Sequence, residues 1–399
     1  MADLGLLKNF YGKGTLLYQQ NLTSKLFNEI PTSDETIGGN GRFKATYFSG
    51  NEAGGAINPG EALATADDDD VLQPYITPKL NHWPIEITGR EIRQSKGQEV
   101  AFARTLTSRV QSALKRMNSV LNRQAFGDAT GTLTQVNGAV IASQTIVVDD
   151  VQYMRKGQHL DIFATLGGAK EAQDVKITSV TISNNTITVD KVVTVSDNAI
   201  IVKSSVQDNI PSGSDGKELT GLARIVDTTT SGVTFQGIDR SVYTDYQSNV
   251  INAGNVPCSQ ALLERLLRRI QIVGGDDPTK IISRHGVYSS FVNTTISQVH
   301  FQDDKIKAGH VSFTWNGYKW DLDKDCQKGT LYMLNMQLPY LARYSLQDPD
   351  LADLDTMGQK FGNKQGFDKN YAYYIADLNF GSDKPNAHGK LEKLTEPNF

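Results

Sequence analysis

The longest periodic pattern in the chain predicts one long amphipathic helix. Over residues 98–126, apolar side chains recur every three or four positions, which is the spacing of one helical face. These positions are Val100, Ala103, Leu106, Val110, Ala113, Leu114, Met117, Val120 and Leu121. Gly127 follows them and is a residue that commonly ends a helix. At 1.5 Å per residue the helix should be about 40 Å long, which is long for a globular domain.

A long hairpin is expected just before this helix. Residues 42–49 alternate apolar and polar side chains, and a second extended stretch covers 75–88. Glycine-rich sequence lies between them, together with the acidic run Asp67, Asp68, Asp69 and Asp70. Loops of this length are usually functional or disordered. Since its tip is too polar to pack against its own domain, we interpret the hairpin as an arm that reaches another molecule.

A β-rich segment follows the helix from about residue 136. Short stretches of strict alternation are separated by turn residues, and Asn184 and Asn185 lie at the turn of one clear hairpin. No helical period interrupts these strands. The pattern predicts an inserted β domain at 136–210, a small barrel or sandwich, which ends at linker-like sequence over 211–216.

The rest of the chain mixes helix and strand. An amphipathic helix is expected over 257–273, with Pro257 at its start and glycines at its end. Short strands are expected at 280–283, 311–315, 319–322, 330–334 and 370–380. Asn316-Gly317 lies between two of them and is a strong hairpin-turn signal. The fold class is therefore α+β.

Composition restricts the function classes. Hydrophobic residues make up 39% of the chain and charged residues 21%, so the chain can bury a core and is not wholly disordered. The net charge of −4 gives no strong attraction to nucleic acid or anionic lipid. We expect a soluble protein made in a cytoplasm, with no membrane span and no signal peptide. Cys258 and Cys326 are expected to be buried, reduced thiols.

Candidate catalytic and metal-binding residues are few. The six histidines never occur at a metal-pair spacing on a recognisable helix. Asp321, Asp323 and Asp325 match the opening of a calcium loop, but Cys326 replaces its glycine and Tyr332 its final glutamate. We interpret the three aspartates as the polar edge of a hairpin. No phosphate loop or nucleophile elbow is present, so we expect no enzyme activity, no cofactor and no metal.

The order of these parts resembles a known family. Five stretches carry the resemblance, namely 83–92, 237–241, 274–279, 316–326 and 329–334. With the glycine-rich loop and the long helix before them, they are similar to tailed-bacteriophage major capsid proteins of the Hong Kong 97-type fold. The inserted β domain departs from the plainest members of that family but resembles insertions that some coat proteins carry.

The resemblance implies a division of the chain. The parts are an N-terminal arm at 1–37, an extended loop at 38–88, a peripheral domain with the spine helix at 89–135, the inserted β domain at 136–210, an axial domain at 220–329, and a return to the peripheral domain at 330–399. Some family members form a lysine–asparagine crosslink from the extended loop. The tip of this loop contains no lysine, so no such crosslink is expected.

The resemblance also implies a function. Many copies would assemble into hexamers and pentamers of an icosahedral shell that encloses packaged double-stranded DNA without sequence-specific binding. The implied location is the virion capsid, assembled in the cytoplasm of a host bacterium. Implied partners are further copies of the chain and, where needed, a portal, a separate scaffolding protein and a decoration protein.

Charge pattern suggests where neighbouring copies meet. We expect the acidic tip of the extended loop to meet basic residues on the spine helix of an adjacent copy. The candidate residues are Asp67, Asp68, Asp69 and Asp70 on one side and Arg104, Arg109 and Arg116 on the other. Each loop would then lie across its neighbour's helix.

Two alternatives stay open at this stage. One is the shell protein of a cellular nanocompartment with the same fold. The other is a β-rich carbohydrate-binding module or hydrolase that uses paired carboxylates such as Asp149 and Asp150. Adjacent residues of a strand point to opposite faces, which argues against convergence of that pair.

Overall fold

The computed structural model describes residues 25–33, 42–43, 46–49, 55–60, 62, 65, 70–88, 90, 99–204, 217–230, 234–295, 313–351, 362–363 and 368–397. The described helices are α1 (Lys25–Glu29), α2 (Glu99–Phe126), α3 (Leu222–Ile225), α4 (Gln260–Arg269) and α5 (His285–Thr295). The described strands form two six-stranded sheets, one four-stranded sheet and three two-stranded ladders. The chain is thus of the α+β class.

A four-stranded antiparallel sheet carries the long helix. Its strands are β5 (Lys79–Thr88), β19 (Ala342–Leu351), β20 (Gly362–Asn363) and β21 (Lys369–Gly381), and β21 pairs with each of the others. Helix α2 packs on β5 and β21. Its apolar residues Met117, Leu121 and Phe126 belong to the same buried cluster as Ala372 and Leu378 of β21. The predicted helix at 98–126 is therefore confirmed to within one residue. The part of its apolar stripe whose side chains are described, from Ala113 onward, faces the sheet.

The extended hairpin leaves the body close to this sheet. Strand β1 (Arg42–Phe43) pairs with β4 (Tyr75–Ile76), and β2 (Thr46–Ser49) pairs with β3 (Asp70–Leu72). Residues 42–43 of the first predicted stretch therefore pair with 75–76 of the second, but 46–49 pair with 70–72, which the sequence prediction placed in the loop. Within the described strands, β2 and β3 form a ladder separate from the other sheets.

The β-rich segment folds into a six-stranded antiparallel barrel. Its strands are β6 (Thr132–Gln135), β7 (Val140–Val147), β8 (His159–Phe163), β9 (Lys170–Thr181), β10 (Thr186–Val195) and β11 (Ile200–Lys203). They pair in the order β6-β11-β8-β9-β10-β7, and a bridge between Val136 and Val148 joins the two ends of that order. A closed barrel has no free edge, which removes a site of unwanted strand pairing. Strand β6 begins before residue 136, where the sequence pattern placed the start of this domain.

The barrel has its own core. Every residue of its buried apolar cluster lies between Leu133 and Ile201, and none comes from the flanking described elements. Ile146, Ile162, Ile177 and Ile187 are completely buried in it. This core follows from the alternation along the strands, which points one side chain in two to the inside.

A second six-stranded sheet forms the remaining body. Its strands are β14 (Asn249–Val256), β15 (Lys280–Ser283), β16 (Phe313–Trp315), β17 (Tyr318–Leu322), β18 (Leu331–Leu334) and β22 (Gly389–Leu394), in the order β14-β22-β18-β15-β17-β16. Helix α4 packs on β14 and β22. It begins after Ser259, whose hydroxyl accepts a hydrogen bond from Leu262 N, rather than at Pro257. It then continues into a π turn, Ile270–Gly274.

Several described elements have no counterpart in the sequence predictions. They are α1, α3, α5, β14, β19 and β22, together with the short hairpin formed by β12 (Thr234–Phe235) and β13 (Ile238–Asp239). Strand β22 matters most for the topology, because it pairs with both β14 and β18 and so completes the second sheet. The predicted linker at 211–216 lies outside the described residues.

Candidate subunit-contact surface

The residues proposed from charge pattern are only partly described. Asp67, Asp68 and Asp69 lie outside the described residues, as do the side chains of Asp70, Arg104 and Arg109. The backbone of Asp70 opens strand β3, opposite Ser49. Arg116 is exposed on α2. The contact between the acidic tip and the helix therefore stays a prediction.

The root of the hairpin is fixed to the body. Tyr75 N donates a hydrogen bond of 3.0 Å to Gln236 O. The next residue, Ile76, is 5% exposed and packs with Ala342 and Tyr344. The β2–β3 ladder is thus connected to the body through Tyr75 and Ile76 of β4.

A buried polar network fastens the N-terminal segment to the end of α2. Asn122 is fully buried, and its Oδ1 accepts a hydrogen bond of 3.1 Å from Phe27 N. Its Nδ2 donates to Asp325 Oδ2 at 2.7 Å and to Asp323 at 3.3 Å. Asp323 in turn accepts from Leu26 N at 3.4 Å. One amide side chain therefore joins α1, the spine helix and the segment after β17.

The aspartates of this network correct an interpretation made from the sequence. Asp323 and Asp325 are 4% and 3% exposed, so they are not the polar edge of a hairpin. Burial raises the pKa of Asp323, and the charge of Asp325 adds to the rise. Asp321 lies apart from them and pairs with Lys280 and Lys319. Sequence reasoning missed Asn122, because a single polar residue in an amphipathic helix looks like a solvated position.

The barrel is joined to the same segment through its connection between β7 and β8. Tyr153 donates its hydroxyl to Asp325 O at 2.7 Å, and the Gln152 amide donates to Lys324 O. Burial is the main cause of the raised pKa of Tyr153, and the Asp325 charge adds to it, so this phenol stays protonated. These bonds set the barrel against the junction of α2 and the second sheet.

A second group of contacts lies where the chain leaves the barrel. Lys203 Nζ lies 4.4 Å from the centre of the Trp83 ring, within the range of a cation–π contact. Burial, with a smaller contribution from the nearby Arg123 charge, lowers the pKa of Lys203 to about 8. Arg123 itself forms an ion pair with Glu218, close to where the described chain resumes after the barrel. The barrel is thus held both at the β7–β8 connection and at its exit.

The described titratable groups do not form a catalytic constellation. Cys258 and Cys326 are buried and unpaired, as predicted, and burial raises the pKa of Cys258 to about 12. Asp150, one of the carboxylates considered for hydrolysis, pairs with Arg284 at 3.3 Å. Among the described residues no group of three or more His, Cys, Asp or Glu is placed to hold a metal ion. Nor does this part of the chain contain a helix long and apolar enough to cross a membrane.

Comparisons with known proteins address the fold directly. No family model matches the sequence, and no curated protein matches it. The capsid asymmetric unit of cyanophage A-1(L) superposes with a TM-score of 0.62 at 11% identity, over 99% of this chain and 100% of that chain. An encapsulin complex from Synechococcus elongatus gives 0.49 at 8% identity, over 99% and 96% of the two chains. The capsid of Myoviridae phage XM1 gives 0.47 at 8% identity, over 96% and 97%. Over its full length, the chain therefore has the Hong Kong 97-type fold of tailed-phage major capsid proteins.

Proposed function

We propose that the chain is the major capsid protein of a tailed phage, whose copies form the pentamers and hexamers of an icosahedral shell around packaged double-stranded DNA. The observation that carries the proposal is the match to the cyanophage capsid subunit over essentially the whole of both chains. A structural role is consistent with the described residues, whose buried polar groups tie elements together rather than converge on a pocket.

The shape of the subunit supports assembly with itself. The β2–β3 ladder pairs with no other described strand, and its described contact with the main core is Leu72 of β3. A two-stranded ribbon is at best marginally stable alone in water. A neighbouring copy that receives this ribbon would stabilise it. Weak contacts of this kind become strong when they are repeated around a closed shell, because each further contact is intramolecular.

The contact we propose joins the acidic tip to the spine helix of the next copy. Asp67, Asp68, Asp69 and Asp70 would face Arg104, Arg109 and Arg116. Such exposed pairs contribute little singly and are weakened by salt, so the contact should act through repetition. Reversal of charge at Arg116 (R116E) should lower assembly at low salt more than at high salt. Equal assembly of R116E and the wild-type chain at every salt concentration would count against this contact.

Other partners follow from the same proposal. A net charge of −4 suits a container from which DNA must leave, since a strongly basic lining would hold phosphates tightly. The DNA would be enclosed without sequence-specific contacts. A portal, a scaffolding protein and a decoration protein would be separate chains, and assembly would take place in the cytoplasm of the host bacterium.

The contents of purified particles test the proposal. Particles from cells that carry the complete set of neighbouring phage genes should protect double-stranded DNA of uniform length from added nuclease. Particles that hold protein cargo and no nuclease-resistant DNA would replace the phage capsid with a nanocompartment of the same fold. Protein that forms no particles and binds oligosaccharide as a monomer would overturn both.

A further inference from the structure

Two glycines lie beneath the root of the extended hairpin. Gly237 has φ of 83° and sits under the ring of Tyr75, which a side chain at Gly237 would overlap. Gly381 ends β21 beneath Ile76, and a Cβ there would overlap Ile76 Cδ1 and lie 3.1 Å from its Cγ1. The two residues of strand β4 thus each rest on a position that has no side chain.

A backbone hydrogen bond beside Gly237 also holds strand β4 in place. Tyr75 N donates to Gln236 O at 3.0 Å, next to Gly237. Gln236 has φ of 51°, so the β12–β13 turn presents two consecutive residues in the left-handed region to the hairpin. One backbone bond and two close approaches therefore define where β4 lies and how it is rotated.

We propose that Gly237 and Gly381 form a seat that fixes the direction in which the extended hairpin leaves the body, and that this direction sets where the hairpin meets a second copy of the chain. The inference rests on the proposed shell function and adds the residues that position its contact. Gly237 and Gly381 are positioning residues, since they act on the neighbour only through the hairpin.

The geometry makes the direction sensitive to small changes. Strands β3 and β4 span Asp70 to Ile76, and at about 3.3 Å per residue β3 begins roughly 16 Å from Tyr75. A tilt of about 10° at the root would move that point by about 3 Å, which exceeds the tolerance of a close-packed interface. A methyl group on Gly381 would press on Ile76, because Gly381 is held in the ladder with Ala342 of β19 and because Ile76 is buried against Ala342 and Tyr344.

Gly381 provides the sharper test. Its φ lies outside the left-handed region, so G381A adds no backbone strain. The new Cβ would overlap Ile76 Cδ1 and lie 2.6 Å from Gln236 Nε2. We expect G381A to reduce the yield of shells of wild-type diameter about tenfold, an overpacking effect. I76V removes Cδ1 and should assemble nearly normally alone. In the double variant I76V/G381A it should restore the yield to within about twofold of I76V, because the overlap with Cδ1 is gone and Gln236 Nε2 is the end of a longer, flexible side chain.

A matched control separates direction from general stability. A Cβ at Gly389 would lie 2.7 Å from Leu266 Cδ1 and 2.9 Å from Ile270 Cδ1, a comparable crowding in the second sheet and away from the hairpin. G389A should lower the thermal midpoint yet leave the shell diameter unchanged. Loss of normal shells in G389A to the same degree as in G381A, or normal shells in G381A, would overturn the seat.

A distance measurement makes the test independent of assembly. Spin labels at S49C on β2 and K115C on the exposed side of α2 report the hairpin direction in the unassembled subunit. We expect G381A to shift their mean distance by about 3 Å, and I76V/G381A to reverse the shift. An unchanged distance in G381A overturns the seat. Failure of the wild-type chain to form particles, alone and on co-expression with a scaffolding protein, would overturn the proposed shell function; with the distance shift present it would leave the seat intact.

Discussion

The inserted barrel should fold without the rest of the chain. All of its buried apolar cluster lies between Leu133 and Ile201, and the pairing of its six strands is closed by the bridge between Val136 and Val148. A fragment of residues 130–204 therefore contains the whole core. At about 0.05–0.15 kcal/mol per residue, its free energy of unfolding should be about 4–11 kcal/mol.

Two isoleucines on strand β7 allow the core to be tested within one element. Ile146 is fully buried, whereas Ile141 is 81% exposed. I146A removes buried methyl and methylene groups and leaves a cavity, which should cost about 2–5 kcal/mol. I141A changes a surface position and should stay within about 0.5 kcal/mol of the wild-type fragment.

Urea unfolding of the fragment, followed by circular dichroism, measures both effects. With an m value of about 1 kcal/mol/M for a domain of this size, I146A should lower the midpoint by about 3 M. The same substitution should cost the same free energy in the barrel transition of the full chain. A fragment without a cooperative transition, or equal effects of I146A and I141A, would refute an independent barrel core.

Three further predictions concern the body of the subunit. Burial lowers the pKa of His388 to about 4, so between pH 6.5 and 4 this group binds fewer protons in the folded state than in the unfolded state. The stability contributed by the neutral His388 should be fully present above pH 6.5, and about 3 kcal/mol should be lost as the pH drops to 4. H388Q should remove this pH dependence of the free energy of unfolding in urea titrations. N122A removes the partner of Phe27 N and one hydrogen bond from each of the buried carboxylates Asp323 and Asp325. It should cost about 2–4 kcal/mol and speed hydrogen exchange at Phe27, while unchanged exchange would contradict the anchor. A Cβ on Gly221 would lie 2.6 Å from Gly127 O, which is backbone, so G221A should lower the thermal midpoint by several degrees, whereas G55A, with open space around it, should not.

The elements that could be predicted are those whose own sequence repeats a pattern. Helix α2 repeats its apolar spacing over 28 residues, and the barrel strands alternate between clear turns. Helix α1 has five residues and is too short to show a period. Helix α5 contains serine, threonine, valine and glycine, which have low helix propensity, so its formation depends on packing against the second sheet.

The site could be predicted less well than the fold. Alternating aspartates look the same whether they face water or a buried amide, so the partnership of Asp323 and Asp325 with Asn122 required the tertiary structure. Nothing in the local sequence distinguishes Gly237 and Gly381 from the other glycines of the chain. Their role depends on Tyr75 and Ile76, which lie far away in the sequence. Contacts of this kind leave no local pattern.

Electron cryo-microscopy of the purified full-length chain, together with sedimentation velocity, tests the central claim most directly. The shell proposal expects particles far larger than the 43.8 kDa chain, with rings of five and six subunits in which each extended hairpin lies over the spine helix of a neighbouring copy. If the chain needs a scaffolding protein, the same particles should appear on co-expression. A chain that sediments as a monomer in every case, with no rings or shells, would contradict the account.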